Sequence, residues 1–497
     1  MSCRIKLFLM VFLSITVSAI AQIAVSPPAD PLVAAKADPQ IASAIHAISP
    51  ARVQEDIAKL VSFGTRSTLS SMDADLPPGH GINAAADWVE AEFKAISADC
   101  GGCLEVKRDE FVETPPTGDG TGRSRFAKPT KLTNVYAIMH GTATHKNAPW
   151  VLVTGHMDSR VTDVMDSHSD APGANDDASG VAVSIESARA LSKLKLPGTV
   201  VFVAVAGEEQ GLNGSKHLAH LAKEQGWPLE AVLNNDIVGG DTTPGDNTQD
   251  KSVVRVFSES VPSAATPEQQ RTILSLGAEN DSPSRMLARE VAELAPIYFQ
   301  PVEVHQPAAA PGVMRSHLVH LEPAFHPVLI LRRDRYLRGG DHTSFNGEGF
   351  AAIRFTEWRE NFNHQHQKLR TENGIEYGDL LKFVDFNYVA NVARINSVTL
   401  ATLASAPSVP LNVKVLTRSL DNNTELTWEP SAFAPPGTTY EVVWRDSATM
   451  LWSHSRSAGT ATTLKLDVSK DNVLFGVRAV DAVGHRSLAV PPVPGRG

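Results

Sequence analysis

A chain of 497 residues with 42% hydrophobic and 20% charged residues has the composition of a soluble globular protein, long enough for two or three domains. Its formal net charge of -10 argues against nucleic acid as a partner. No apolar run beyond the first two dozen residues is long enough to span a bilayer, so no stable membrane insertion is expected once that leader is removed.

Arg4 and Lys6 precede an apolar run at 7–20 and a small-residue exit, the pattern of a secretory signal over residues 1–21. A membrane anchor is the alternative. Export, to the periplasm or outside the cell, would remove Cys3 and leave Cys100 and Cys103 in CGGC, which most simply close a small disulfide loop. Residues 22–48, rich in Ala, Pro and Val, read as an N-terminal or pro-segment. Apolar residues at helical spacing follow in PARVQEDIAKLVSF and GINAAADWVEAEFKAI. Alternating or continuous apolar strands are expected at 104–112, 132–140, 151–154, 199–206 and 231–238, with helices after Asp177 and at 214–225 between them. This alternation predicts an α/β fold with a mixed, mostly parallel sheet flanked by helices. Further strands are expected at 253–258, 328–331 and 351–355, a helix at 282–294, and a long closing helix at 379–403. A linker at 405–410 ends the 49–404 domain, and short strands spaced by turn residues make 411–497 a small all-β sandwich.

The chemistry-bearing residues stand at strand ends, where ligands gather in open α/β sheets. His156 and Asp158 close the run VLVTGHMDS. Asp176 and Asp177 precede a helix, Glu208 and Glu209 follow the next strand, and Asp236, in NNDIVG, lies near the end of the strand at 231–238. Asp341 and His342 lie in GGDHTSF. Each pair alone is equally an ordinary turn or Asx cap. Together, imidazoles among carboxylates suit zinc, or manganese or cobalt, better than calcium, and five ligands would serve two ions sharing one carboxylate.

The ordered motifs GHMDS, PGANDDASG, GEEQGLNGS, NNDIVG and GGDHTSF resemble the leucyl aminopeptidase and glutamate carboxypeptidase type of dizinc peptidases, especially secreted bacterial aminopeptidases, over residues 51–403. The resemblance implies two Zn2+ per chain: His156 and Asp236 for one, Glu209 and His342 for the other, with Asp176 bridging. It makes Glu208 the general base and acid. Asp158 would orient His156, Asp341 would support His342, and the Asp176-Asp177 peptide would be cis. Tyr336 is the candidate to stabilise the oxyanion. Asn175 stands where an aspartate is common. His168 is a third-ligand candidate whose plainer reading is a solvated loop histidine, and His364 and His366 lie where relatives place a histidine near the substrate pocket, without assignment to metal. The activity implied is removal of an amino-terminal residue from peptides or proteins. A carboxypeptidase or dipeptidase would share these ligands, with Arg315, Arg333 and Arg335 available for a carboxylate. A glutaminyl cyclase and a non-catalytic scaffold are the remaining readings. The last ninety residues, with Trp428 and Tyr440, resemble a fibronectin type III module that could bind a surface or polymer.

Overall fold

The computed structural model describes residues 30–115, 125–304, 320–322, 324–419 and 421–495. The leader expected at 1–21 and Arg315 lie outside them. Helices α1 (Pro39–His46) and α2 (Pro50–Val61) begin at prolines that need no helical N–H partner, capped by Asp38 and Ser49. Helix α3 (Ile82–Asp99) buries Ile82, Ala85, Ala86, Val89, Phe93 and Ile96, an apolar stripe at helical spacing. Cys100 and Cys103, just past its end, form the expected disulfide.

Next come strands β1 (Glu105–Glu113), β2 (Thr130–Met139) and β3 (Trp150–His156), helix α4 (Ala178–Leu191), β4 (Thr199–Val205), α5 (Asn213–Glu224), β5 (Leu229–Asn235) and β6 (Val253–Ser258). Helices α6 (Pro267–Ser275) and α7 (Pro283–Tyr298), a short β7–β8 hairpin (Val302–Val304 with His320–Glu322), β9 (His326–Ile330), α8 (His342–Gly347) and β10 (Ala352–Glu357) follow. A β11–β12 hairpin (Arg370–Glu372 with Ile375–Tyr377) precedes α9 (Phe386–Ser405).

Among the described residues the central sheet runs β1-β2-β4-β3-β5-β10-β6-β9. Its centre, β4-β3-β5-β10, is parallel, whereas β1, β2 and β6 join antiparallel. Side-chain alternation splits the two faces. On β4, Val200, Phe202 and Ala204 join the larger core under α2, α4 and α9, whereas Val201, Val203 and Val205 join the smaller core with Leu218 of α5 and Phe345 of α8. Helix α4 lies so close to β3 that a Cβ on Gly155 would fall 2.3 Å from the Gly180 carbonyl carbon, so this crossing needs glycine. Because β3, β4 and β5 are parallel, His156, Glu208, Glu209 and Asp236 emerge along one edge.

The C-terminal strands β13 (Leu411–Leu416), β14 (Thr424–Glu429), β15 (Thr439–Asp446), β16 (His454–Gly459), β17 (Thr463–Leu466), β18 (Val473–Val480) and β19 (Val493–Gly495) form two sheets, β17-β14-β13-β19 and β16-β15-β18. Val413, Leu426, Trp428, Tyr440, Val442 and Val477 share their core. These sheets are not loosely tethered. Arg478, on β18, is buried between Glu441 of β15 and Glu293 of α7, at 2.8 and 2.9 Å. Arg445 reaches Asp281 at 2.7 Å, and Arg289 of α7 donates to the Met450 carbonyl at 2.6 Å. The segment before α1 spans both bodies: Leu32 N–H donates to Ser453 O and the Asp38 carboxylate pairs with His485, while the Asp38 N–H donates to the Tyr298 hydroxyl of α7 at 2.9 Å. Residues 30–48 are therefore packed into the fold, with Ile41, Ile45 and Ile48 in the main core. Among the described residues no helix is long and apolar enough to cross a membrane.

Candidate metal centre

Asp177 organises the edge of the sheet. Its Oδ2 accepts the His156 N–H at 2.9 Å, and its Oδ1 accepts the N–H groups of Gly180, at 3.0 Å, and Ile237, at 3.3 Å, tying β3, α4 and the end of β5 together. The Asp176-Asp177 peptide is cis, as the resemblance implies. Asp158 does the same for the next strand end. Its carboxylate accepts the N–H groups of Glu208 and Glu209 at 3.2 and 3.0 Å and the Thr68 hydroxyl at 2.9 Å. Its carbonyl oxygen lies 3.0 Å from His156 Nδ1, which leaves Nε2 free to face the cluster.

Asp176 stands at the middle. Its Oδ1 lies 3.1 Å from His156 Nε2, and its Oδ2 lies 2.9 Å from His366 Nε2. Asp236 Oδ1 is 4.0 Å from His156 Nε2, and Glu209 Oε1 is 2.9 Å from His366 Nε2. Two donor trios result, His156, Asp176 and Asp236, and Asp176, Glu209 and His366, with the atoms of each within 4.8 Å of one another. Ligands bound tetrahedrally to zinc at about 2.0–2.2 Å stand about 3.4 Å apart, inside the observed spread.

The electrostatics also fit cations. Glu209 Oε1 is buried and faces His366 Nε2 at 2.9 Å. Burial opposes charge on His366, but Glu209 and Asp176 outweigh it and push its pKa up to about 10. Burial pushes Asp236 up to about 7, with His156 opposing and Asp176 adding. The Glu208 carboxyl is driven well above the usual range by burial; His156 opposes this, and Glu209, Asp236 and Asp341 add to it. The set of imidazole and carboxylate donors therefore fits two zinc ions around one shared carboxylate.

The geometry corrects the expected second histidine. His342, the first residue of α8, turns its Nε2 to the Arg333 carbonyl at 2.9 Å, and its buried Nδ1 has no hydrogen-bond partner. It joins neither trio. His366 takes that place because the turn after β10 folds back over the sheet edge, with His366 itself at a left-handed φ of 57°. Asp341 is buried beside the cluster, its pKa raised to about 7 by burial with His156 and the Ser215 hydroxyl opposing, and among the described residues no hydrogen bond ties it to His342. Tyr336 is also corrected: it is 79% exposed on the loop before α8, with the Arg332 guanidinium 3.7 Å from its ring centre, so it faces solvent. His168 is exposed and bonds Ser167, and His364 pairs with Asp241 at 2.8 Å over the Phe383 ring.

Several partners escaped the sequence reading. Asp379 accepts the N–H groups of Asn175 and Asp176, fixing the bridging residue, and Gln365 donates to Asp176 Oδ2 at 3.0 Å. Asn175 itself holds Glu357 and the Gly239 N–H. Arg354, fully buried on β10, pairs with Asp236 Oδ1 at 2.8 Å, and Arg160 pairs with Glu209 Oε2 at 2.8 Å. A strand-end motif followed by arginine was the available signal for Arg160; nothing local marks Arg354.

Residues 134–281 match the model of peptidase family M28. A Leptosphaeria maculans protein described as a probable zinc metalloprotease is 42% identical over 92% of this chain and 97% of its own length. A Pyricularia oryzae protein of the same description is 41% identical over 95% and 88%. Among solved structures, the LapA aminopeptidase of Legionella pneumophila aligns with a TM-score of 0.47 at 19% identity over 75% of this chain and 77% of that one. An aminopeptidase from Aneurinibacillus sp. strain AM-1 aligns with a TM-score of 0.44 at 18% identity, over 73% and 95%. With the M28 match at 134–281 and 41–42% identity to these fungal relatives over more than nine-tenths of its length, the chain belongs to peptidase family M28.

Proposed function

We propose that the chain is an exported zinc aminopeptidase that hydrolyses the first peptide bond of peptides with a free amino terminus. The observation that carries this reading is the Asp176 carboxylate, with one oxygen facing His156 and the other facing His366. Zinc ions held by His156, Asp176 and Asp236 and by Asp176, Glu209 and His366 would polarise the scissile carbonyl and acidify water. Glu208, whose carboxyl is made more basic by burial, takes the proton from the attacking water and returns it to the leaving amine. Asp158 holds the backbone of both glutamates, so base and ligand diverge from one rigid turn. The acidic surroundings favour a substrate ammonium group. Two complete donor trios weigh against a one-zinc cyclase and against a scaffold.

One observation favours a carboxypeptidase as the second reading. A cavity of about 390 Å³ beside α8 is lined by Arg332, Arg333, Arg335 and Arg338. Glu360 engages Arg335 and Arg338, while Arg332 and Arg333 have no carboxylate partner among the described residues. The leader and the Cys100–Cys103 disulfide support export. The four-plus-three strand sandwich supports the fibronectin type III likeness, with the docked face serving the enzyme's own stability rather than a polymer.

The test is a matched peptide panel, free, amino-blocked and carboxyl-blocked, with and without a zinc chelator. Chelator-sensitive cleavage confined to peptides with a free amine is expected. Cleavage of amino-blocked peptides that stops on carboxyl blocking would replace this reading with the second.

A further inference from the structure

Arg160 serves neither the ligand set nor the proton transfer, yet it contacts both residues that are particular to the second trio. Its Nε donates to Glu209 Oε2 at 2.8 Å, and its Nη2 lies 2.7 Å from His366 Nδ1. The opposite atoms of these side chains, Glu209 Oε1 and His366 Nε2, are the ones that face Asp176 and each other. An imidazole that gives Nε2 to a metal carries its one hydrogen on Nδ1. For His156 that hydrogen meets an acceptor, the Asp158 carbonyl at 3.0 Å. For His366 it meets Arg160 Nη2, and a guanidinium has only donors. The first trio has its own guanidinium, Arg354, but this touches Asp236, whose carboxylate oxygens keep lone pairs for a second partner. The imbalance therefore sits at the histidines.

Arg160 can leave. Its side chain is 20% exposed, and its third nitrogen, Nη1, is held only by the Thr162 carbonyl at 3.5 Å. The same turn grips the histidine backbone through Thr162 Oγ1 donating to His366 O at 3.0 Å, so the imidazole stays when the guanidinium moves.

We propose that Arg160 is a positioning residue that makes the two metal sites unequal: it braces Glu209 and His366 while their site is empty, and its contact with His366 must break when that site fills. The His156 site then loads first and the His366 site second, at higher free zinc. This rests on the dizinc reading above.

The test is equilibrium dialysis of the full chain against buffered zinc, counting bound metal rather than activity. The wild type is expected to show two classes of one ion each, and His366→Gln should remove the weaker class alone. Arg160→Met should tighten the weaker class by about tenfold or more, the scale of relieving one buried donor that lacks an acceptor, and leave the tighter class unchanged. Two equal classes in the wild type, or an Arg160→Met protein whose weaker class is unchanged or weaker still, would overturn the role of Arg160 while leaving the dizinc centre standing. Absence of any stoichiometric zinc would overturn both.

Discussion

Replacing Arg478 with Met tests whether the C-terminal sheets are part of the enzyme's folded body. Arg478 is 1% exposed and bridges Glu441, on its own sheet, to Glu293 on α7. Methionine fills much of the same space but leaves two largely buried carboxylates without their shared cation. Breaking a buried pair in this way costs about 3–5 kcal/mol, against about 0–1 kcal/mol for an exposed one. Arg486 remains 3.4 Å from Glu441, so the lower end, about 3 kcal/mol, is the expected loss. That is roughly a 150-fold change in the folded to unfolded ratio, and a sizeable share of the stability of a typical domain. Trp452 reports on this interface: it is 5% exposed, with Arg289 and Arg445 5.7 and 5.6 Å from its ring centre. Urea unfolding followed by tryptophan fluorescence should show the loss, and adding Glu293→Gln and Glu441→Gln should recover most of it, because no unpaired charge then remains. A loss below about 1 kcal/mol for Arg478→Met would refute the reasoning and make the sandwich a hydrated, tethered module.

Three further outcomes follow from the site and the interface. Glu208→Gln should retain zinc, by elemental analysis, while kcat falls by about 10²- to 10⁴-fold, the usual worth of general base catalysis. His366→Gln should bind one zinc fewer than the wild type, whereas His342→Gln should bind the full complement; the reverse pattern would restore the assignment from sequence. Glu290, buried at the same interface, has its pKa raised from 4.5 to about 8 by burial, with Glu293 adding to this and Arg478 and Arg486 opposing. The folded state then holds a proton that the unfolded state releases, so this group's stabilisation is full below about pH 4.5 and is lost as pH rises through about 8. Relative to wild type, Glu290→Gln should gain stability with rising pH across that window, by at most about 1.4 kcal/mol per unit, read from denaturation midpoints at several pH values.

What could be read in the sequence was local. The continuous apolar runs of β3, β4 and β5 mark the buried parallel centre, and a polar cluster at the end of each gives His156, Glu208, Glu209 and Asp236 their common edge. What could not be read was set by the return of the chain. His366 reaches Asp176 through a turn in a left-handed conformation, whereas the more conspicuous GGDHTSF motif starts a short helix that points His342 elsewhere. The closing helix begins at Phe386 rather than near 379, because Asp385 caps it and Asp379 is engaged by the Asn175 and Asp176 N–H groups. On α7, Arg285, Arg289 and Glu290 have the charge of a solvent face, yet all are buried, two of them against the C-terminal sheets. Helical periodicity identifies α7 without revealing what covers its charged side.

The central claim is that two metal ions share the Asp176 carboxylate. Anomalous diffraction at the zinc edge from crystals of zinc-loaded protein tests it most directly. The account predicts two peaks flanking Asp176, one within bonding distance of His156 and Asp236 and the other of Glu209 and His366. A single peak, or a peak bound by His342 with His366 free, would contradict it.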